Sequence, residues 1–115
     1  GQRCLGILTD LGSITEHMLE GIAGCAALIL ECNHDEAMLA GGRYPYPLKQ
    51  RIAGRLGHLC NEAAADLLRA IDTTRLVHVV AANLSKENNT PDLARAALAG
   101  ALGCAPETIR RSAPR

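Results

Sequence analysis

Three short apolar runs set what this chain can fold into. They are residues 3–9, 26–31 and 75–82, and each ends in a polar cluster: Thr9-Asp10, Asn33-His34-Asp35 and Asn83-Leu-Ser85. Continuous apolar runs of this length read as strands buried in a sheet, where both faces leave water. Helical spacing fills the gaps between them. Ser13-x-x-Glu16 has capping-box spacing ahead of Met18, Leu19 and Ile22. Residues 36–42 make one or two turns, and Leu48, Ile52 and Leu56 follow a four-residue step after Tyr44-Pro-Tyr-Pro47. Asn61 is the predicted cap of a helix carrying Ala64, Leu67, Leu68 and Ile71. Thr90-Pro91 predicts a helix start, and Gly103 predicts its end.

The predicted order is therefore β-α-β-α-α-β-α, an α/β fold with a small, mostly parallel sheet and flanking helices. Residues 1–103 carry these elements as one unit, which the resemblance described below makes half of a larger domain, and residues 104–115 are expected to form a tail free to fray. In a parallel sheet the carboxyl ends of the strands share one edge, so the three polar clusters are expected to converge there. Asp10 is the first candidate for chemistry. Asp, Asn and Ser after strands also cap helices routinely, which is the plainer account of any one cluster.

Composition narrows the partners. Twelve Lys and Arg balance twelve Asp and Glu, so no global field favours nucleic acid or acidic lipid. With two Tyr and no Phe or Trp, the core must be built from Ala, Leu, Ile and Val. Five cysteines without a C-x-x-C spacing read as reduced, mostly buried thiols of a cytoplasmic protein. No apolar run reaches the ~18 residues of a membrane span. His78, inside a strand, reads as a packed residue, and Lys49 belongs to a solvated helix face.

Several spaced motifs resemble one family. Thr9-Asp-Leu-Gly12, Glu31-x-Asn-His-Asp35-x-x-Met-Leu39, Tyr44-Pro-x-x-Leu-Lys-x-Arg-Ile52, Gly57-His-Leu-x-Asn61-x-x-Ala-Ala64 and Leu84-Ser-x-x-Asn-Asn89 run in one order over residues 3–103. They resemble the C-terminal half of a metallo-β-lactamase-fold hydrolase, in the branch of phosphodiesterases and exonuclease-like proteins related to ribonuclease Z. The resemblance implies half of a four-layer αβ/βα sandwich. It implies two metal ions, zinc with manganese as the alternative, and hydrolysis of phosphodiesters such as nucleic acid by a metal-bound hydroxide. It implies that Asp10 bridges the metals and that His34 is a general acid for the leaving oxygen. Asp35 would orient His34 or cap the next helix. Asn33, His58, Asn61, Asn83 and Ser85 would support the site or position substrate.

Two departures accompany the resemblance. The family's His-x-His-x-Asp-His motif is absent, and Asn83 stands where the family has the histidine of His-Leu-Ser. A neutral amide is a poor zinc ligand beside imidazole. The isolated chain is thus expected to have little hydrolase activity, and to need a missing N-terminal half or a second copy of itself to cover its sheet. Two other readings are a non-catalytic binding or assembly module that has lost its metal site, and an unrelated nucleotide-binding α/β domain. Neither G-x-G-x-x-G nor G-x-x-x-x-G-K-[ST] occurs to support the last.

Overall fold

A computed structural model describes residues 5–8, 16–53 and 58–111. Strands β1 (Leu5–Leu8), β2 (Ala27–Glu31), β3 (His78–Ala82) and β4 (Arg110–Arg111) lie side by side in the order β1-β2-β3-β4. Every pair is parallel, with Leu8 opposite Leu30 and Glu31 opposite Ala82. Helix α1 (Glu16–Ile22) joins β1 to β2. Helices α2 (Glu36–Gly41), α3 (Tyr46–Ala53) and α4 (Asn61–Ala70) join β2 to β3, and α5 (Pro91–Leu102) leads to β4. The predicted α/β class holds, but three helices rather than two join β2 to β3, and a fourth strand follows α5. The third strand begins at His78 rather than residue 75, because Thr73–Leu76 is tied in a turn by Leu76 N–H to Thr73 O. A short 3-10 turn, Pro106–Thr108, and the two-residue β4 extend the fold past Gly103, with Ile109 buried between them.

Strand order decides where the helices sit. When each parallel strand is added beside the last and each crossover is right-handed, all crossovers fall on one face. The core has this form. Leu28 and Leu30 of β2, with Val79 and Ala81 of β3, pack against Ile22 of α1, Leu67 and Leu68 of α4, and Leu98 of α5. These side chains are buried to within a few per cent of full exclusion from water. At ~25 cal/mol per Å² of apolar surface, leucines buried this deeply carry most of the folding free energy. Gly6 belongs to this packing. A Cβ there would lie 2.7 Å from Leu28 Cδ2 and 3.0 Å from Ile22 Cγ2, so only glycine lets α1 approach β1.

The opposite face of the sheet is bare at its β1 side. Leu5 is 60 % exposed and Ile7 is 56 % exposed. His78 is exposed on β3, contrary to the expectation that it packs in the strand. The helix ends follow the sequence at α5, where Thr90 Oγ1 accepts from Leu93 N–H at 3.1 Å and Gly103 closes the helix at φ 70°. They depart from it at α4. Cys60, not Asn61, is the cap, its Sγ accepting from Ala63 N–H at 3.4 Å.

Among the described residues, no helix is long and apolar enough to cross a membrane. The thiols are not all reduced as expected. Cys25 is disulfide-bonded, whereas Cys32, Cys60 and Cys104 are free.

Candidate active site

The polar clusters after β2 and β3 do meet. Cys32 N–H donates to Ala82 O, and Ser85 N–H donates to Asn33 O, so the chain after β2 stays beside the chain after β3. On its other side it is held by Leu59, since Asn33 N–H donates to Leu59 O and Asn61 N–H donates to His34 O at 2.8 Å. Residues 32–35 are thereby clamped between the start of α4 and the end of β3. Backbone groups fixed from both sides hold side chains in place far better than a free loop does.

Asn33 sets the state of His34. Its Nδ2 donates to Asn83 O at 3.1 Å, which turns its Oδ1 toward His34 Nδ1 at 3.2 Å. An amide oxygen only accepts, so Nδ1 carries the hydrogen and Nε2 is left as the acceptor. His34 is 2 % exposed. Burial pushes its pKa below 6.5, and His58 nearby acts in the same direction. Its resting form at neutral pH is the uncharged imidazole.

Glu31, the last residue of β2, is fully buried. Its Oε1 accepts from His58 Nδ1 at 2.7 Å and from Asn83 Nδ2 at 2.8 Å. Asn83 sits at φ 55°, a left-handed conformation that asparagine tolerates better than most residues. One continuous set of hydrogen bonds thus runs from His34 through Asn33, Asn83 and Glu31 to His58. A second set lies below it. Asn61 and Asn89 exchange amide hydrogen bonds at 2.8 and 2.9 Å, and Asn89 Nδ2 also donates to Cys32 O at 2.7 Å. This buried pair locks the first turn of α4 to the residue just before the cap of α5.

Other candidates have plainer places. Asp35 Oδ2 accepts from Met38 N–H at 3.0 Å, so of its two suggested roles it takes the capping one. Ser85 Oγ accepts from Asn88 N–H at 3.1 Å and shapes the turn before α5. Asp10 lies outside the described residues. Sequence reasoning gave no role to Glu31. Its only signal was a charged residue directly continuing an apolar strand, a place where an unpaired carboxylate would be costly.

His34 and His58 line a cleft of about 530 Å³ whose other walls include Glu36, Tyr46, Lys49 and Gln50 over a floor of Leu39 and alanines. Lys49 is not simply solvated as expected, since its Nζ turns in to donate to Ala40 O at 2.8 Å. Cys60 also borders the cleft, and burial pushes its thiol up to about 11.

The described residues do not make a zinc or manganese site. Among them, no three His, Cys, Asp or Glu side chains converge to hold a metal ion. His34 and His58 use Nδ1 on Asn33 and Glu31 and keep Nε2 as their one open donor atom, while Asn83 gives its amide to Glu31. The Cys60 and Cys32 thiols, raised to about 11 and about 12, are protonated at neutral pH. No chemical step is assigned to a metal on these residues.

Comparisons with known proteins agree with this arrangement of motifs. The chain is 42 % identical over 93 residues to the exodeoxyribonuclease YycJ of Bacillus anthracis, covering 81 % of this chain and 35 % of that protein. It is 38 % identical over 88 residues to the exodeoxyribonuclease WalJ of Streptococcus pneumoniae serotype 2, covering 76 % of this chain and 33 % of that protein. The WalJ of a second Streptococcus pneumoniae strain matches equally. No family model matches the sequence, and no solved structure matches it. The chain spans about a third of the length of the curated relatives it matches. Over most of its own length it is thus similar to part of the YycJ and WalJ exodeoxyribonucleases.

Proposed function

We propose that this chain supplies one side of the active site of a nuclease that hydrolyses phosphodiesters of DNA. The observation that carries the reading is the paired presentation of His34 and His58 on one cleft, each fixed by its own hydrogen-bond partner. The exodeoxyribonuclease names of the relatives supply the substrate class.

His34 is uncharged at rest. A phosphodiester brought against it carries the negative charge that favours imidazolium, so substrate and proton arrive together. His34 can then give that proton to the departing oxygen. His58 is held at Nδ1 by a buried carboxylate, which orients the ring. It can relay a proton to or from solvent at the mouth of the cleft. The zinc or manganese that the family resemblance implies is part of the proposal only in this sense: its ligands would be Asp10 and residues of the rest of a protein about three times as long. The same remainder, rather than a second copy of this chain, would cover Leu5 and Ile7 on the bare sheet face.

The test compares the 115-residue chain with the complete protein on end-labelled DNA, with and without added zinc or manganese. The reading expects chelator-sensitive release of nucleotides by the complete protein and none by the chain alone. Turnover by the chain alone would overturn the division of the site. A complete protein inert on DNA but active on another ester would overturn the substrate.

Asn83 favours this reading over a module that has lost its metal site. Its amide donates to Glu31 and its carbonyl accepts from Asn33, so it joins the two histidines' supports.

A further inference from the structure

The chain's two aromatic residues, Tyr44 and Tyr46, sit within three positions of each other, in a protein with no Phe or Trp. Neither is needed for the core, which is aliphatic. Tyr46, at the start of α3, is 70 % exposed and yet lines the cleft that holds His34 and His58. Its hydroxyl accepts from Gln50 Nε2 at 2.8 Å, one turn along the same helix, which steadies the ring. Lys49 brings its ammonium into the same cleft with one hydrogen bond to Ala40 O, leaving its other N–H bonds for a ligand. A fixed aromatic face beside a cation is the combination that binds single-stranded nucleic acid: the ring stacks a base and the ammonium meets a phosphate. The cleft volume of about 530 Å³ lies within the ~300–1,000 Å³ of small-ligand sites.

We propose that this cleft is the subsite for the terminal nucleotide of a single DNA strand, with its base stacked on Tyr46 and its backbone phosphate beside Lys49. The proposal rests on the nuclease reading and adds to it how the strand end is held. Glu36 also lines the cleft, and its carboxylate accepts from the Cys60 thiol. A negative wall repels phosphate and accepts from base amino groups, so the base edge faces Glu36 and Gln50 while the phosphate keeps to Lys49. Stacking is tolerant of base identity, as an enzyme that removes nucleotides in succession requires.

The test uses the complete protein and two short single-stranded oligodeoxynucleotides, one with an ordinary terminal nucleotide and one whose terminal residue is abasic. Wild type is expected to show a lower KM for the ordinary end. Tyr46→Ala should raise that KM ~10-fold and erase the preference, while Tyr46→Phe, which keeps the ring, should retain it. Lys49→Gln should weaken binding of both ends and lower the slope of log affinity against log salt by ~0.7. An unchanged KM in Tyr46→Ala, or an equal rise for both oligonucleotides, would overturn the subsite while leaving the nuclease reading intact. If the protein does not cut DNA at all, fluorescence anisotropy of the labelled oligonucleotides still decides. Tighter binding of the ordinary end that is lost in Tyr46→Ala at unchanged melting temperature supports the subsite. No such binding, or a melting temperature that drops because the rest of the protein packs on Tyr46, overturns it.

Discussion

His58 Nδ1 lies 2.7 Å from Oε1 of Glu31, and the glutamate is wholly buried while the histidine side chain is 39 % exposed. The two are not equivalent partners. Removing His58 leaves a carboxylate in the interior with fewer donors, whereas removing the charge of Glu31 leaves a histidine that water can reach. His58→Ala is therefore expected to cost about 2–3 kcal/mol. Glu31→Gln should cost less, since its amide can still accept from one neighbour. Urea unfolding of both variants checks the order.

Asn83 holds Glu31 from the other side. Asn83→Ala removes one donor from the carboxylate and strains a position with positive φ, for an expected loss of about 1–3 kcal/mol. Asn83→His, the change that restores the family residue, should also destabilise the fold and should not raise metal binding by the chain. Calorimetric metal titration and thermal unfolding read the two effects.

The Asn61–Asn89 pair fastens α4 to α5 through reciprocal amide bonds, with Cys32 O as a further acceptor. Asn89→Ala strands two buried groups at once. A loss of about 2–4 kcal/mol is expected, and hydrogen exchange should quicken first at the starts of both helices.

His34 makes stability depend on pH. Its folded pKa is lowered from 6.5 by burial, so the unfolded chain takes up the proton first. Stability is fully present above pH 6.5 and falls as the pH drops below it toward the folded value. Asn at position 34 does not titrate, so His34→Asn should flatten this part of the profile. Chemical denaturation across mildly acid pH measures the slope.

The free thiols should separate by reactivity. Cys104 is exposed, Cys60 is half-buried with its thiol raised to about 11, and Cys32 is buried with its thiol raised to about 12. Iodoacetamide at mildly alkaline pH is expected to label Cys104 first and Cys32 last, as mass spectrometry of timed digests would show.

What could be read from the chain follows from physics that is local. The cap and first-turn proline of Thr90-Pro91 and the left-handed Gly103 need only neighbouring residues, and α5 lies between them as predicted. The meeting of Asn33, His34 and Asn83 was legible because strand direction alone brings those ends to one edge. Glu31 was not legible, because its partners are 27 and 52 positions away and a strand-ending glutamate resembles any solvated residue. Cys60 took the cap expected of Asn61, since Asn61 is drawn inward by Asn89. β4 is two arginines paired with β3, a strand made by its neighbour rather than by its own residues. Lys49 turned inward because Ala40 O, on a different helix, faces it.

Release of nucleotides from end-labelled DNA by the complete protein, wild type against His34→Gln, tests the central claim most directly. A histidine that delivers the proton to the leaving oxygen predicts a fall in kcat of ~10²–10⁴-fold with KM nearly preserved and the melting temperature intact. Wild-type kcat in His34→Gln would contradict the account.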